Sequence, residues 1–120
     1  MNTIKQQEFL DYLSNQYEEL VKQEQVLKAD ERKDEANHVR IQMNIYQIFQ
    51  TIFQVTVKKS KEEDQVKDFL AQLTRIPESW EKALNNAKQH QDTEREFIET
   101  LKFQMRDEIR EEFLKVVNEE

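Results

Sequence analysis

The chain has 120 residues, 36% of them charged, a formal net charge of −7, one Pro, no Gly and no Cys. Average usage would supply about eight Gly, and hairpins, bulges and phosphate-cradling loops depend on Gly, so a β-rich fold and a Gly-loop nucleotide site are excluded, as are disulfides and thiol chemistry. The acidic balance disfavours the phosphate-neutralising surfaces that nucleic acids and anionic membranes require.

The remaining composition, rich in Glu, Gln, Lys and Leu, predicts an all-α fold. This length holds one domain with a single core. No basic leader with an apolar run opens the chain, and no eighteen-residue apolar stretch occurs. The expectation is a cytoplasmic protein with no nucleic-acid or membrane partner.

Thr3 followed by Gln6 reads as a capping box for a first helix over about 3–28. Leu10, Leu13, Tyr17, Leu20 and Leu27 recur at spacings of three and four, with Phe9 and Val21 beside them. Glu24 falls in that stripe, where it either reaches out to solvent or pairs with Lys28 one turn on. After the polar run Lys28–Asp34, capped by Asp30 or Asp34, a second helix extends over about 32–59, with Lys58 and Lys59 at its negative end.

The second helix is the organising element. Ile41 to Val57 carries no charged residue, where composition alone would place about six. Ile41, Ile45, Ile48, Ile52 and Val55 form one stripe that predicts the core side, with Ile48 and Ile52 at its centre. Tyr46, Phe49, Phe53 and Val57 form a second apolar face beside the uncharged Gln50 and Gln54. A bundle helix needs only about half of so wide an apolar arc, and charge depletion with aromatic enrichment marks an interface core. These six residues are therefore the candidate dimer or partner surface, with a two-fold homodimer as the expected assembly.

Ser60 followed by Glu63 suggests a capping box for a third helix over about 61–90. Val66, Phe69, Leu70 and Leu73 lead to Pro77, which removes a donor and disfavours helical geometry at Ile76. Trp80, Ala83, Leu84 and Ala87 then resume the period, so a kink or a one-turn interruption at Pro77 is expected. Asp92 or Thr93, the latter with Glu96, can cap a last helix over about 93–118 that presents Phe97, Ile98, Leu101, Met105, Ile109, Phe113, Val116 and Val117. The three-four rhythm also passes unbroken from Leu84 to Leu101, which leaves one continuous helix from Pro77 as the alternative. Four rods of similar length favour an antiparallel up-and-down four-helix bundle with its third helix kinked at Pro77.

Chemistry-bearing motifs are sparse. Glu35 and His38 have the Glu-x-x-His spacing of di-iron bundles, but that site needs a second copy and Ala87 stands three before His90. Glu8 with Asp11 and Glu31 with Asp34 have the spacing of magnesium-binding all-α pyrophosphatases. Glu78 with Glu81, Glu96 with Glu99 and Glu108 with Glu111 share it, and chance alone predicts about four such pairs at this acidity. Trp80, Tyr46, Phe49 and Phe53 could line an apolar pocket, although at helical spacing they read as core. No catalytic residue, metal ligand or cofactor is assigned.

The segments Asp34, Glu35, Ala36, Asn37 through Asn44, Ile45, Tyr46, Ile48, Phe49, and Ile76, Pro77, Glu78, Ser79, Trp80, Glu81, resemble those of uncharacterised small helical-bundle proteins of low-GC Gram-positive bacteria. The resemblance implies no activity and carries over no catalytic residue. The functional expectation is a non-enzymatic helical interaction or regulatory module that self-associates. The alternatives are a ferritin-like or magnesium pyrophosphatase-type enzyme, or an immunity or antitoxin bundle.

Overall fold

The computed structural model describes residues 1–118. It is a helical bundle, with no strand among the described residues, of α1 (Thr3–Ala29), α2 (Lys33–Lys59), α3 (Gln65–Arg75), α4 (Glu78–Gln89) and α5 (Thr93–Asn118), with a 3-10 turn at Glu62–Asp64 ahead of α3. The rod expected over 61–90 is thus two helices separated by Ile76 and Pro77, both of which keep right-handed φ/ψ (−60°, −41° and −68°, −3°). The last helix is separate, as the break near His90 to Thr93 predicts.

The caps sit beside the expected positions. Asn2, one residue before Thr3, accepts the Lys5 amide at 2.8 Å and opens α1. Asp92 accepts the Arg95 amide at 3.1 Å and opens α5. Neither Asp30 nor Asp34 caps α2, whose N-cap is Arg32 with no side-chain bond; Asp34 and Glu35 instead lie in its first turn, where negative charge suits the helix dipole. Ser60 closes α2, and its hydroxyl donates to Asp68 at 2.6 Å instead of completing a box with Glu63.

Two turns reverse the chain in the same way without Gly. Glu31 (φ 59°) and Gln91 (φ 54°) adopt the left-handed conformation. The following amides, Arg32 and Asp92, reach back to the carbonyls of Leu27 and Ala87, each at 2.9 Å. These bonds satisfy carbonyls that the helix end would leave unpaired.

The core is densest where α1, α2, α3 and α5 each contribute one phenylalanine. Phe9 lies 4.9 Å from Phe53 and 5.0 Å from Phe113, and Phe69 lies 4.7 Å from Phe113 and 5.2 Å from Phe53. Most of these contacts are edge-on, the arrangement the ring quadrupole favours. Leu13, Phe49, Leu73 and Ile109 are fully buried around them. Away from this cluster the buried set changes character: Ala36, Val39 and Ala87 are small, and two buried positions hold Glu24 and Glu99. α4 packs mainly on α5, where Trp80 sits between Phe103 (5.9 Å) and Phe49 (6.2 Å) with the Lys102 ammonium over its ring.

On α2 the two apolar faces exchange the roles that the sequence suggested. Tyr46, Phe49 and Phe53, expected at a dimer surface, are buried inside the monomer. Ile48 and Val55, expected in the core, are 41% and 44% exposed, and Ile52 is only partly buried. Ile45 alone of that stripe is fully enclosed. The reason is size: three facing helices can surround large planar rings edge-to-face, and an aromatic ring removes more apolar area from water than an Ile or Val side chain does.

Candidate functional site

Of the six residues proposed from sequence as a partner surface, the structure brings only part to solvent. Gln54 is exposed, Gln50 and Val57 are half-buried, and Gln54 and Val57 join Gln6, Leu10, Phe53 and Lys58 around a crevice of about 270 Å³. With Tyr46, Phe49 and Phe53 enclosed, that patch cannot meet a second chain as drawn from the sequence. Trp80 likewise packs as core between aromatic neighbours.

The polar candidates pair off individually. Glu35 is held by the Arg32 guanidinium. His38 Nε2 lies 2.7 Å from Glu94 Oε1, with its ring packed at 4.9 Å on Phe97. His90 Nδ1 contacts the Asn86 carbonyl at 2.9 Å, and Asp11 accepts from Gln7. Among the described residues no three His, Asp or Glu side chains converge in a way that could hold a metal ion. No described helix is long and apolar enough to cross a membrane.

The two buried carboxylates lie away from the phenylalanine end. Glu24, its side chain 10% exposed, accepts from Arg40 at 3.0 Å and pairs with Lys28 at 3.4 Å. Burial opposes its charge, but the hydrogen bond and charge of Arg40, with Lys28 behind it, hold the carboxyl below its ordinary value. Glu99, 5% exposed, pairs with Lys102 through Oε1 at 3.2 Å, while Oε2 has no hydrogen-bond partner. Beside α2, burial pushes the Tyr12 hydroxyl well above its ordinary range, helped by Tyr46 and by Glu112 and Glu108.

Among the described residues, two apolar hollows carry exposed large side chains, and sequence reasoning missed both. The first is a groove of about 580 Å³ between α1, α2 and α5, with Val26, Leu27, Val39, Phe97 and Leu101 below a rim that includes Glu19, Lys22, Glu35 and His38. Val26 and Phe97 are 61% and 52% exposed there. The volume lies within the usual span of small-molecule sites, but the rim's polar groups already have partners within the monomer in the Lys22–Glu19, Arg32–Glu35 and His38–Glu94 contacts.

The second is the outward face of α2. A shallow hollow there is lined by Asn44, Gln47, Ile48, Thr51 and Ile52, all from this one helix. No charge interrupts it from Ile41 to Val57. Its signal was present in the sequence as Ile48 and Val55, seven residues apart, running parallel to the larger pair Tyr46 and Phe53. The larger side chains belong inside, which assigns the smaller set to solvent.

Comparison of the chain with protein-family models, with curated proteins and with solved structures finds no match in any of the three.

Proposed function

We propose that the protein is a non-enzymatic helical protein–protein interaction module that self-associates and acts by scaffolding or regulating a partner. One observation carries the reading: the outward side of α2 exposes Ile48 and Val55 on a surface without charge over Ile41–Val57. In a chain this highly charged, solvent exposure would ordinarily select Lys and Glu at such positions. Charge depletion at an exposed apolar patch is the composition of an interface centre.

The test is sedimentation of the wild type beside Ile48→Glu at tens of micromolar. A wild-type dimer and a monomeric, folded variant are expected. A wild type that stays monomeric, or an assembly that survives a glutamate at this position, overturns the reading. Elemental analysis separates it from the metalloenzyme alternatives, because stoichiometric iron, manganese or magnesium in purified protein contradicts a purely structural role for Glu35, His38 and Glu94.

A further inference from the structure

We infer that the groove between α1, α2 and α5 is a binding site for an uncharged, largely apolar small molecule. The site lies apart from the outward face of α2 and does not depend on the self-association proposed above. α1 and α5 close on each other at one end of the bundle, where the Phe9 and Phe113 rings lie 5.0 Å apart and Lys5 Nζ donates to the Val117 carbonyl at 2.8 Å. Nearer the turns at Glu31 and Gln91, a groove of about 580 Å³ lies between them, with α2 as its third wall. Val39 is buried there, Leu27 and Leu101 are half-buried, and Val26 and Phe97 are exposed. Phe97 is held in place by His38, whose ring packs on it at 4.9 Å and whose Nε2 lies 2.7 Å from Glu94. The apolar walls therefore stand before any ligand arrives, which lowers the cost of binding.

Charge selects the class of ligand. At the mouth, Lys22 lies 3.8 Å from Glu19, Arg32 holds Glu35, and His38 meets Glu94. A charged ligand competes with one of these contacts to gain its own, and a net charge of −7 repels an anion further. An uncharged ligand competes with none. Two polar groups do stand free: among the described residues, neither Gln23 nor the half-buried Gln42 has a side-chain hydrogen bond. Each amide offers neutral donors and a neutral acceptor beside the apolar walls. The complementary molecule has an apolar body for Val26, Leu27, Val39, Phe97 and Leu101, and one uncharged polar group, such as an amide, alcohol or arylamine, for the glutamines.

Size separates a small molecule from a protein partner. Glu19 to Leu27 covers about 12 Å of α1, so a partner helix lying along the groove would meet it over about two turns. A stable protein interface takes about 800 Å² from each partner, an area that two turns of helix do not supply. The groove volume instead falls inside the range of small-molecule sites, about 300–1,000 Å³.

The probe is N-phenylnaphthylamine, an uncharged fluorophore that brightens in apolar surroundings. Its charged counterpart is anilinonaphthalenesulfonate, the same ring system with one added sulfonate. Saturable one-to-one binding of the first is expected, with the second at least about tenfold weaker. Val26→Asp sets a charge on the wall at an exposed position and should weaken the uncharged probe at least about tenfold, while Ile48→Glu on the other apolar face leaves it unchanged. Phe97→Ser provides the same test from α5, and circular dichroism checks that both groove variants keep wild-type helicity. Absence of saturable binding overturns the inference, as does a probe that binds both groove variants like the wild type or is lost in Ile48→Glu. A sulfonate that binds as tightly as the uncharged probe overturns the class of ligand. Val26→Asp and wild type should also sediment alike; a change of assembly in this variant means that another chain fills the groove, which contradicts a small-molecule site. A monomeric wild type that binds the probe removes the self-association and leaves this inference standing.

Discussion

The Arg106 guanidinium donates through Nη1 to the main-chain carbonyl of Leu73 at 3.1 Å. That carbonyl is the one a helical residue 77 would ordinarily satisfy with its amide, and residue 77 is proline, which has none. Arg106 lies on α5, its guanidinium over the Phe103 ring and its side chain mostly buried. A donor 33 residues away in sequence thus replaces the one that Pro77 removes, and ties α5 to the junction of α3 and α4.

The relationship predicts a coupled pair of substitutions. Arg106→Met should cost about 1–3 kcal/mol, because a partly buried carbonyl loses its donor. Pro77→Ala restores an amide at that position, so the same Arg106→Met change should cost clearly less in its background. Urea titrations of the four proteins measure the coupling, and equal costs in both backgrounds contradict the assignment.

The exchanged faces of α2 predict opposite sensitivities. Phe53→Ala removes a buried ring from the four-phenylalanine cluster and should cost about 3–5 kcal/mol. Ile48→Ala, measured at concentrations low enough to keep the chain monomeric, should change stability by no more than about 0.5 kcal/mol. A large loss from Ile48→Ala in the monomer would return that residue to the core.

Glu99 and Lys102 should respond with opposite signs. The carboxylate is buried with one oxygen unpartnered, whereas the Lys102 side chain retains 24% exposure and reaches water. Glu99→Met should therefore be neutral or raise stability by about 1–2 kcal/mol, since the buried charge disappears with its desolvation cost. Lys102→Met leaves that charge without its cation and should destabilise. Chemical denaturation of both variants provides the check, and destabilisation by Glu99→Met would mean the carboxylate is held by more than Lys102.

The Glu24 carboxyl predicts an acid limb. Its folded value lies below the ordinary 4.5 because Arg40 and Lys28 stabilise the charged form. A depressed carboxyl contributes stability that is fully present above its unfolded value and is lost as pH falls through the folded one. The destabilisation caused by Arg40→Gln should accordingly be largest near neutrality and shrink as pH drops below about 4. Melting temperatures of wild type and variant from pH 3 to 7 test the convergence; a constant gap would assign Arg40 a packing role instead.

Glycine-free composition and three-four periodicity were enough to establish an all-helical chain, the extents of α1, α2 and α5, and an interruption at Pro77, because these depend on local backbone preference and on which residues repeat each turn. The starts of α1 and α5 were legible to within a residue, with Asn2 taking the cap expected at Thr3 and Asp92 among those proposed for α5, whereas neither cap proposed for α2 is used and α3 begins at Gln65, four residues after the expected start. The left-handed turns at Glu31 and Gln91 had no such signal: neither residue type favours that conformation, and tertiary packing of the flanking helices imposes it. The same limit governed the candidate surface. Both sides of α2 are apolar at helical spacing, and periodicity specifies that two faces exist without specifying which turns inward. That choice was made by Phe9, Phe69 and Phe113 on three other helices, whose rings pack edge-on with Phe53 and so draw Tyr46 and Phe49 inside with it, leaving Ile48 and Val55 to water.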